Sequence, residues 1–132
     1  MKRRSYLSAM LAGLAGIKAA SAQASKNPIV LYCDLAIPAD KEKEMLRNYH
    51  TVFKPAAEKF PGYIDLKMLK LRSTLSGTAP AAGINYRFQL TYESEEARQK
   101  WIHSDIHQKV WPTIENLLSN KSSYQTLLFD AV

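Results

Sequence analysis

The chain has 132 residues, 46% of them hydrophobic and 23% charged, enough for one domain with a packed core and no staples. Its formal charge of +6 is concentrated at the start: Lys2, Arg3, Arg4 and Lys18 fall in the first 22 residues with no acid, leaving 14 basic against 12 acidic side chains, or +2, for the rest. That balance argues against a nucleic-acid surface, which needs a concentrated basic patch, and Cys33, the single cysteine, rules out an intramolecular disulfide and a cysteine-cluster metal site.

Residues 1–24 read as an address. A basic start, a short apolar run rich in Gly and Ala, and a small-residue end make a signal peptide, too short to remain as a stable membrane span. Ala20-Ser21-Ala22 and Ala22-Gln23-Ala24 both satisfy the small-x-small cleavage rule. Arg3-Arg4-Ser5-Tyr6-Leu7 resembles a twin-arginine export signal, although a Sec signal also tolerates two arginines. Either pathway implies an exported protein, periplasmic or extracellular, with no stable membrane insertion after cleavage.

The domain then spans 28–132, in the order strand, helix, strand, strand, helix, strand. Pro28 opens an apolar and β-branched run over 29–37 that Pro38 closes, a first strand. Asp40 is placed to cap a helix that carries Met45, Tyr49, Val52, Phe53, Ala56 and Phe60 at spacings of three and four, one apolar stripe. Pro55 removes a backbone donor inside it, so a kink is expected near Lys54, and Gly62 suits the left-handed position past its end. Residues 63–73 and 84–92 alternate as strands around a Gly- and Pro-containing loop. Ser94 and then Ser104 offer caps for a helix broken in two, Pro112 suits the first turn of a last short helix over 113–118, and 124–131 is the fourth strand.

This order gives an α+β fold: a ferredoxin-like βαββαβ sandwich, a four-stranded antiparallel sheet with both helices on one face. Alternation assigns Leu31, Cys33, Leu35, Ile64, Leu66, Met68, Tyr86, Phe88, Leu90, Leu127 and Phe129 to the helix-covered face. The opposite face receives Tyr32, Asp34, Tyr63, Asp65, Lys67, Arg87, Gln89, Thr91, Tyr124 and Thr126. It is too aromatic for a solvated face and too polar for a dry core. Burial against a second copy around a polar-lined cavity explains both, so a homodimer is expected.

Phe53-Lys54-Pro55, Phe60-Pro61-Gly62-Tyr63, Tyr92-Glu93-Ser94-Glu95-Glu96, and Trp101 followed by Ser104 and His107 resemble the antibiotic biosynthesis monooxygenase family over essentially all of 28–132. The resemblance implies a dimeric α+β barrel and, among several activities that such a fold hosts, oxygenation of a small aromatic or quinol-like substrate without cofactor or metal. On that reading Arg87 pairs with a substrate anion, Asp34 or Asp65 accepts a proton, and His107 is a third catalytic candidate. Tyr32, Tyr63, Gln89, Tyr92 and Trp101 form the substrate-binding set. Asp34, Arg87 and Lys67 also read as cross-strand ion pairs, and His107 as a partner of the Ser104 cap. The alternative function is a non-catalytic dimer that binds a small ligand. The haem-degrading branch uses an asparagine on the first strand, a tryptophan ending the third and a ligating histidine on the second helix. Here no asparagine lies within 29–37, and Tyr92 and Trp111 stand at the other two positions. His103 and His107, four apart, have the spacing of a helical metal pair, which a break at Ser104 would destroy.

Overall fold

A computed structural model describes residues 27–132; the export signal expected over 1–24 lies outside them. The elements run β1 (Ile29–Leu35), a short 3-10 turn (Ala39–Lys41), α1 (Glu42–Asn48), a widened π turn (Tyr49–Phe53), α2 (Lys54–Glu58), β2 (Tyr63–Lys70), β3 (Tyr86–Tyr92), α3 (Glu95–Ile102), α4 (Asp105–Val110), α5 (Pro112–Glu115) and β4 (Gln125–Asp130). The sheet is antiparallel in the order β2-β3-β1-β4, the ferredoxin-like arrangement expected, with the helices on one side. Among the described residues no helix is long and apolar enough to cross a membrane.

The first helical segment is less regular than its stripe suggests. Asp40 does not cap it; it lies inside the 3-10 turn, which follows extended Pro38 without a side-chain cap. The disturbance expected at Pro55 is a π turn just before it, in which the Lys54 N–H reaches back to Tyr49 O. A proline ring collides with the carbonyl four residues earlier in a regular helix, and one extra residue per turn relieves that crowding. The extra residue also resets the stripe: Met45, Tyr49, Phe53 and Ala57 are buried while Val52 is exposed. The two serine caps form as expected. Ser94 Oγ accepts from Ala97 N at 3.1 Å, and Ser104 Oγ accepts from His107 N at 3.2 Å while donating to Trp101 O at 2.7 Å.

Two strands depart from simple alternation. In β2 an irregularity between Tyr63 and Asp65 pairs Tyr63 with Tyr92 and Asp65 with Thr91. Tyr63 therefore turns to the helix side and packs against the core, while Ile64 is exposed; the expected assignments of both are reversed. In β4, pairing sets Thr126 beside Cys33 and Leu127 beside Tyr32. Tyr124 and Thr126 consequently belong to the helix side, and Leu127 and Phe129 to the open face, also the reverse of expectation. The run Leu127-Leu128-Phe129 is apolar at both parities, so alternation carries no information there, and a one-residue slip exchanges the faces.

Past β1 the chain is held by two asparagines acting as short strands. Asn85 Oδ1 accepts from Ile37 N at 2.8 Å and its Nδ2 donates to Ile37 O at 2.9 Å. Asn120 Oδ1 accepts from Ala36 N at 3.0 Å. These bonds satisfy backbone groups of a buried segment that has left the sheet. The turn into β2 depends on Gly62, at φ 93°, where an added Cβ would stand 2.4 Å from Ala97 Cβ. Gly77, at φ 81°, has nothing within 4 Å of such an atom. Gly77→Ala is expected to cost about 1–2 kcal/mol, the left-handed backbone alone, and Gly62→Ala about 2–4 kcal/mol, because overpacking adds to it. Equal losses in chemical denaturation would show that the Gly62–Ala97 approach is not a constraint.

Candidate functional site

Between the sheet and the helices lies a cavity of about 160 Å³. Its floor comes from Leu31 and Cys33 of β1, Phe88, Leu90 and Tyr92 of β3, and Thr126 of β4; its roof from Phe53, Arg98, Trp101, Ile102, His107 and Trp111, with Tyr124 at the approach to β4. The walls are mainly aromatic because each helical piece contributes a ring at the point where it meets the sheet. Phe53 lies 5.0 Å from Phe88 and 5.7 Å from Trp101, both edge-on. Trp111 stacks on Phe88 at 5.9 Å and 9°. The His107 imidazole is wedged edge-on to Trp101 at 5.1 Å and stacked with Trp111 at 6.5 Å.

Two polar atoms in this setting have no partner: Tyr92 Oη and His107 Nδ1 are buried side-chain atoms without a hydrogen bond. Buried polar groups are satisfied in the great majority of cases, and leaving one unmade costs about 1–3 kcal/mol. Both belong to residues that line the cavity. Arg98, Trp111 and Tyr124, also in its lining, have their side-chain partners. Arg98 grips Glu95 with Nε and a terminal nitrogen, each at 2.8 Å, and that bond, with one from Gln99, draws the Glu95 carboxyl down to about 2. Trp111 Nε1 donates to Tyr124 Oη at 3.2 Å, and Tyr124 Oη donates to Glu115 Oε2 at 2.8 Å, a chain that fixes the indole wall. Burial pushes the Cys33 thiol up to about 12 and raises the Tyr92 phenol, so both stay protonated. Burial lowers His107, against a smaller opposing pull from Glu115, so its imidazole is neutral at neutral pH.

The residues singled out from the sequence divide between two places. His107, Tyr92 and Trp101 line the cavity. Tyr63 is on the same side of the sheet but does not line it. Asp34, Arg87, Tyr32, Gln89 and Asp65 lie on the open face. There Arg87 Nε and a terminal nitrogen donate to Asp34 at 2.7 and 3.0 Å, the cross-strand pair that was the alternative reading. Arg87 also covers the Tyr32 ring at 5.1 Å, and Lys67 is bonded to Asp65. Arg87 and Asp34 border a second, larger hollow of about 360 Å³ beneath the 71–85 loop. It carries no buried polar atom without a partner, so the smaller cavity is the better candidate. His103 and His107 part at the Ser104 break: His103 Nδ1 lies 2.9 Å from Gln99 O on the exposed side. Among the described residues no three His, Cys, Asp or Glu side chains converge as a metal site. Phe53, Arg98, Trp111 and Tyr124 were not assigned to a site from the sequence. Tyr124 was hidden by the inverted parity of β4, whereas the clustering of both tryptophans beside His107 was a usable signal for Trp111.

No family model matches the chain, and no curated protein matches it. Solved structures do. A protein from Bordetella bronchiseptica described as an antibiotic biosynthesis monooxygenase superposes with a TM-score of 0.63 at 10% identity, covering 81% of this chain and 99% of that one. A dimeric ferredoxin-like protein from Jannaschia superposes at 0.62 with 13% identity, over 80% and 98%. The heme-degrading protein Rv3592 of Mycobacterium tuberculosis reaches 0.53 with 21% identity, over 80% and 92%. The shared property is the fold. It is ferredoxin-like, as the strand order indicates.

Because His107 is held deprotonated by burial, its folded-state pKa lies below the unfolded value. The unfolded chain therefore takes up the proton first, and stability falls as pH drops below about 6.5 until the folded imidazole titrates as well. Denaturation midpoints between pH 7 and pH 5 should fall more steeply for the wild type than for His107→Phe. Parallel profiles would show that His107 is not desolvated. Tyr124→Phe should cost about 1–2 kcal/mol, since it leaves Trp111 Nε1–H without an acceptor, with a change in tryptophan emission that reports the loosened wall.

Proposed function

We propose that the protein is an exported, homodimeric monooxygenase that oxidises a small aromatic or quinol-like substrate without a cofactor. One observation carries the reading: an aromatic-walled cavity whose only unsatisfied buried groups, among the described residues, are a tyrosine hydroxyl and a neutral imidazole. A cavity of about 150 Å³ in another protein holds benzene, so about 160 Å³ suits a single ring. An electron-rich ring supplies the reducing equivalents itself: a hydroquinone and dioxygen give a hydroxyquinone and water, one oxygen atom entering the ring. His107 takes the proton that the hydroxyl loses as electron density leaves the ring, and Tyr92 stabilises the developing oxyanion.

Haem does not fit these residues. The cavity is smaller than the 300–1,000 Å³ usual for drug-sized ligands, and Trp111 fills the place of the ligating histidine. Export rests on the pattern within residues 1–24 and the dimer on the open sheet face. That face presents Phe129, half exposed and edge-on to Tyr32 at 5.4 Å, together with Leu127 and the Arg87–Asp34 pair. A second copy would cover this mixed surface, and the name of the Jannaschia neighbour calls that protein dimeric. Sedimentation at micromolar concentration should give a dimer, and Phe129→Asp a monomer; a monomeric wild type would remove this explanation.

A second reading, a non-catalytic dimer that binds the same class of ligand, is favoured by the pairing of Arg87 with Asp34 outside the cavity, since the two residues expected to act on the substrate then lie away from the ligand. Oxygen uptake over a panel of quinols and phenols, with and without added haem, separates the two. Monooxygenation predicts uptake with single-ring quinols in the absence of haem, and a kcat lowered about 10²–10⁴-fold in His107→Phe. No uptake alongside saturable binding leaves the binding protein, and a haem spectrum with haem-dependent turnover would overturn both.

A further inference from the structure

A hydrogen-bonded chain leads away from the indoles that wall the cavity. Trp111 Nε1–H donates to Tyr124 Oη at 3.2 Å, and the Tyr124 hydroxyl donates to Glu115 Oε2 at 2.8 Å. The rings of Trp111 and Tyr124 meet edge-on at 5.8 Å. Trp101, at the other end of the wall, shares two packed neighbours with Trp111, the rings of Phe53 and His107. Trp101 is buried, whereas Trp111, Tyr124 and Glu115 are each partly exposed. The wall therefore runs from a closed end to an open one, and the open end carries a carboxylate.

Indole and phenol rings give up a single electron more readily than the other aromatic side chains. A phenol that loses an electron becomes a strong acid, so its oxidation is easiest where a base lies within hydrogen-bond reach. Glu115 is such a base. Among the described residues Tyr124 is the one tyrosine whose hydroxyl donates to a carboxylate. Tyr92, which also lines the cavity, has no partner for its hydroxyl. Burial, and then the bond to Glu115, push the Tyr124 phenol up to about 12, so at rest its proton is in place to be passed on.

We propose that Trp111, Tyr124 and Glu115 form a one-electron relay that carries an oxidising equivalent from the cavity to the protein surface. The oxidant is a peroxyl radical in the cavity, the species formed when dioxygen adds to an organic radical. It takes one electron from Trp111 and becomes a peroxide anion. Tyr124 returns an electron to the indole while its proton moves along the existing hydrogen bond to Glu115. The balance is ROO• + Tyr124–OH + Glu115–COO⁻ → ROO⁻ + Tyr124–O• + Glu115–COOH, with Trp111 restored. The radical comes to rest on a partly exposed phenol, where a reductant in solution quenches it and the buried wall is spared.

Pulse radiolysis of the full-length protein with azide radicals, which oxidise indoles in preference to phenols, tests the relay without any substrate. In the wild type the indolyl absorption should decay into a phenoxyl absorption by a first-order process that does not depend on protein concentration. Tyr124→Phe, which keeps the ring, should lengthen the life of the indolyl signal roughly tenfold or more and remove most of the phenoxyl signal. Glu115→Gln keeps an oxygen acceptor for the hydroxyl but removes the base, and should slow the transfer about tenfold. Decay at the wild-type rate in either variant would overturn the relay. So would the absence of an indolyl signal, because the relay begins at an indole that a small oxidant can reach. None of these outcomes bears on oxygen uptake with quinols, so the proposed reaction stands or falls separately.

Discussion

The helical layer is referenced to one side chain, the ring of Phe53. It is essentially inaccessible and packs against one strand and both sides of the roof: Phe88 on β3, Trp101 on α3, His107 on α4, and Trp111, which lies 5.9 Å away where α4 gives way to α5. Edge-on aromatic contacts of this kind are directional as well as apolar, so the position of Phe53 sets where the two tryptophans and the imidazole can lie. Phe53 is in turn placed by the π turn over Tyr49–Phe53, a local answer to a proline two residues later. A backbone irregularity in the first helical segment thereby fixes the geometry of a site built largely by the second.

The same cluster explains why two polar atoms remain unmet. His107 is at once the residue whose N–H is capped by Ser104 and a ring packed between two indoles. The cap fixes its backbone, the indoles pack against its ring, and Nδ1 is left buried without a protein donor or acceptor. Tyr92 ends β3 on the helix side, where Arg98 could have answered it, but that guanidinium is committed to Glu95. Both orphaned atoms follow from stronger commitments made by their neighbours.

The architecture was readable because its signals were redundant. Pro28 and Pro38 bracket the first strand, Ser94 and Ser104 cap two helices, and Gly62 supplies the one backbone conformation that the entry to β2 requires. The site was less readable because face assignment rests on parity alone. Tyr63 changed sides through a single irregular residue, and Tyr124 and Thr126 changed sides because Leu127-Leu128-Phe129 is apolar at every position. With those strands inverted, the polar set seemed to collect on the open face around Arg87. The pairing of Arg87 with Asp34 and of Lys67 with Asp65 shows that much of that polarity satisfies itself. His107 and Tyr92 were reachable through the family resemblance, whereas Tyr124 and Arg98 needed the strand register and the helix positions.

The central claim is that a ligand goes between the sheet and the helices and not onto the open face. Two tryptophans wall the cavity and none lies elsewhere in the chain, so nuclear magnetic resonance of the indole and imidazole nitrogens during a phenol titration addresses it most directly. The account predicts saturable shifts of both tryptophan Nε1 signals and of the His107 ring nitrogens, with the Arg87 side chain unmoved. Shifts confined to Arg87 and its neighbours on the open face would contradict it.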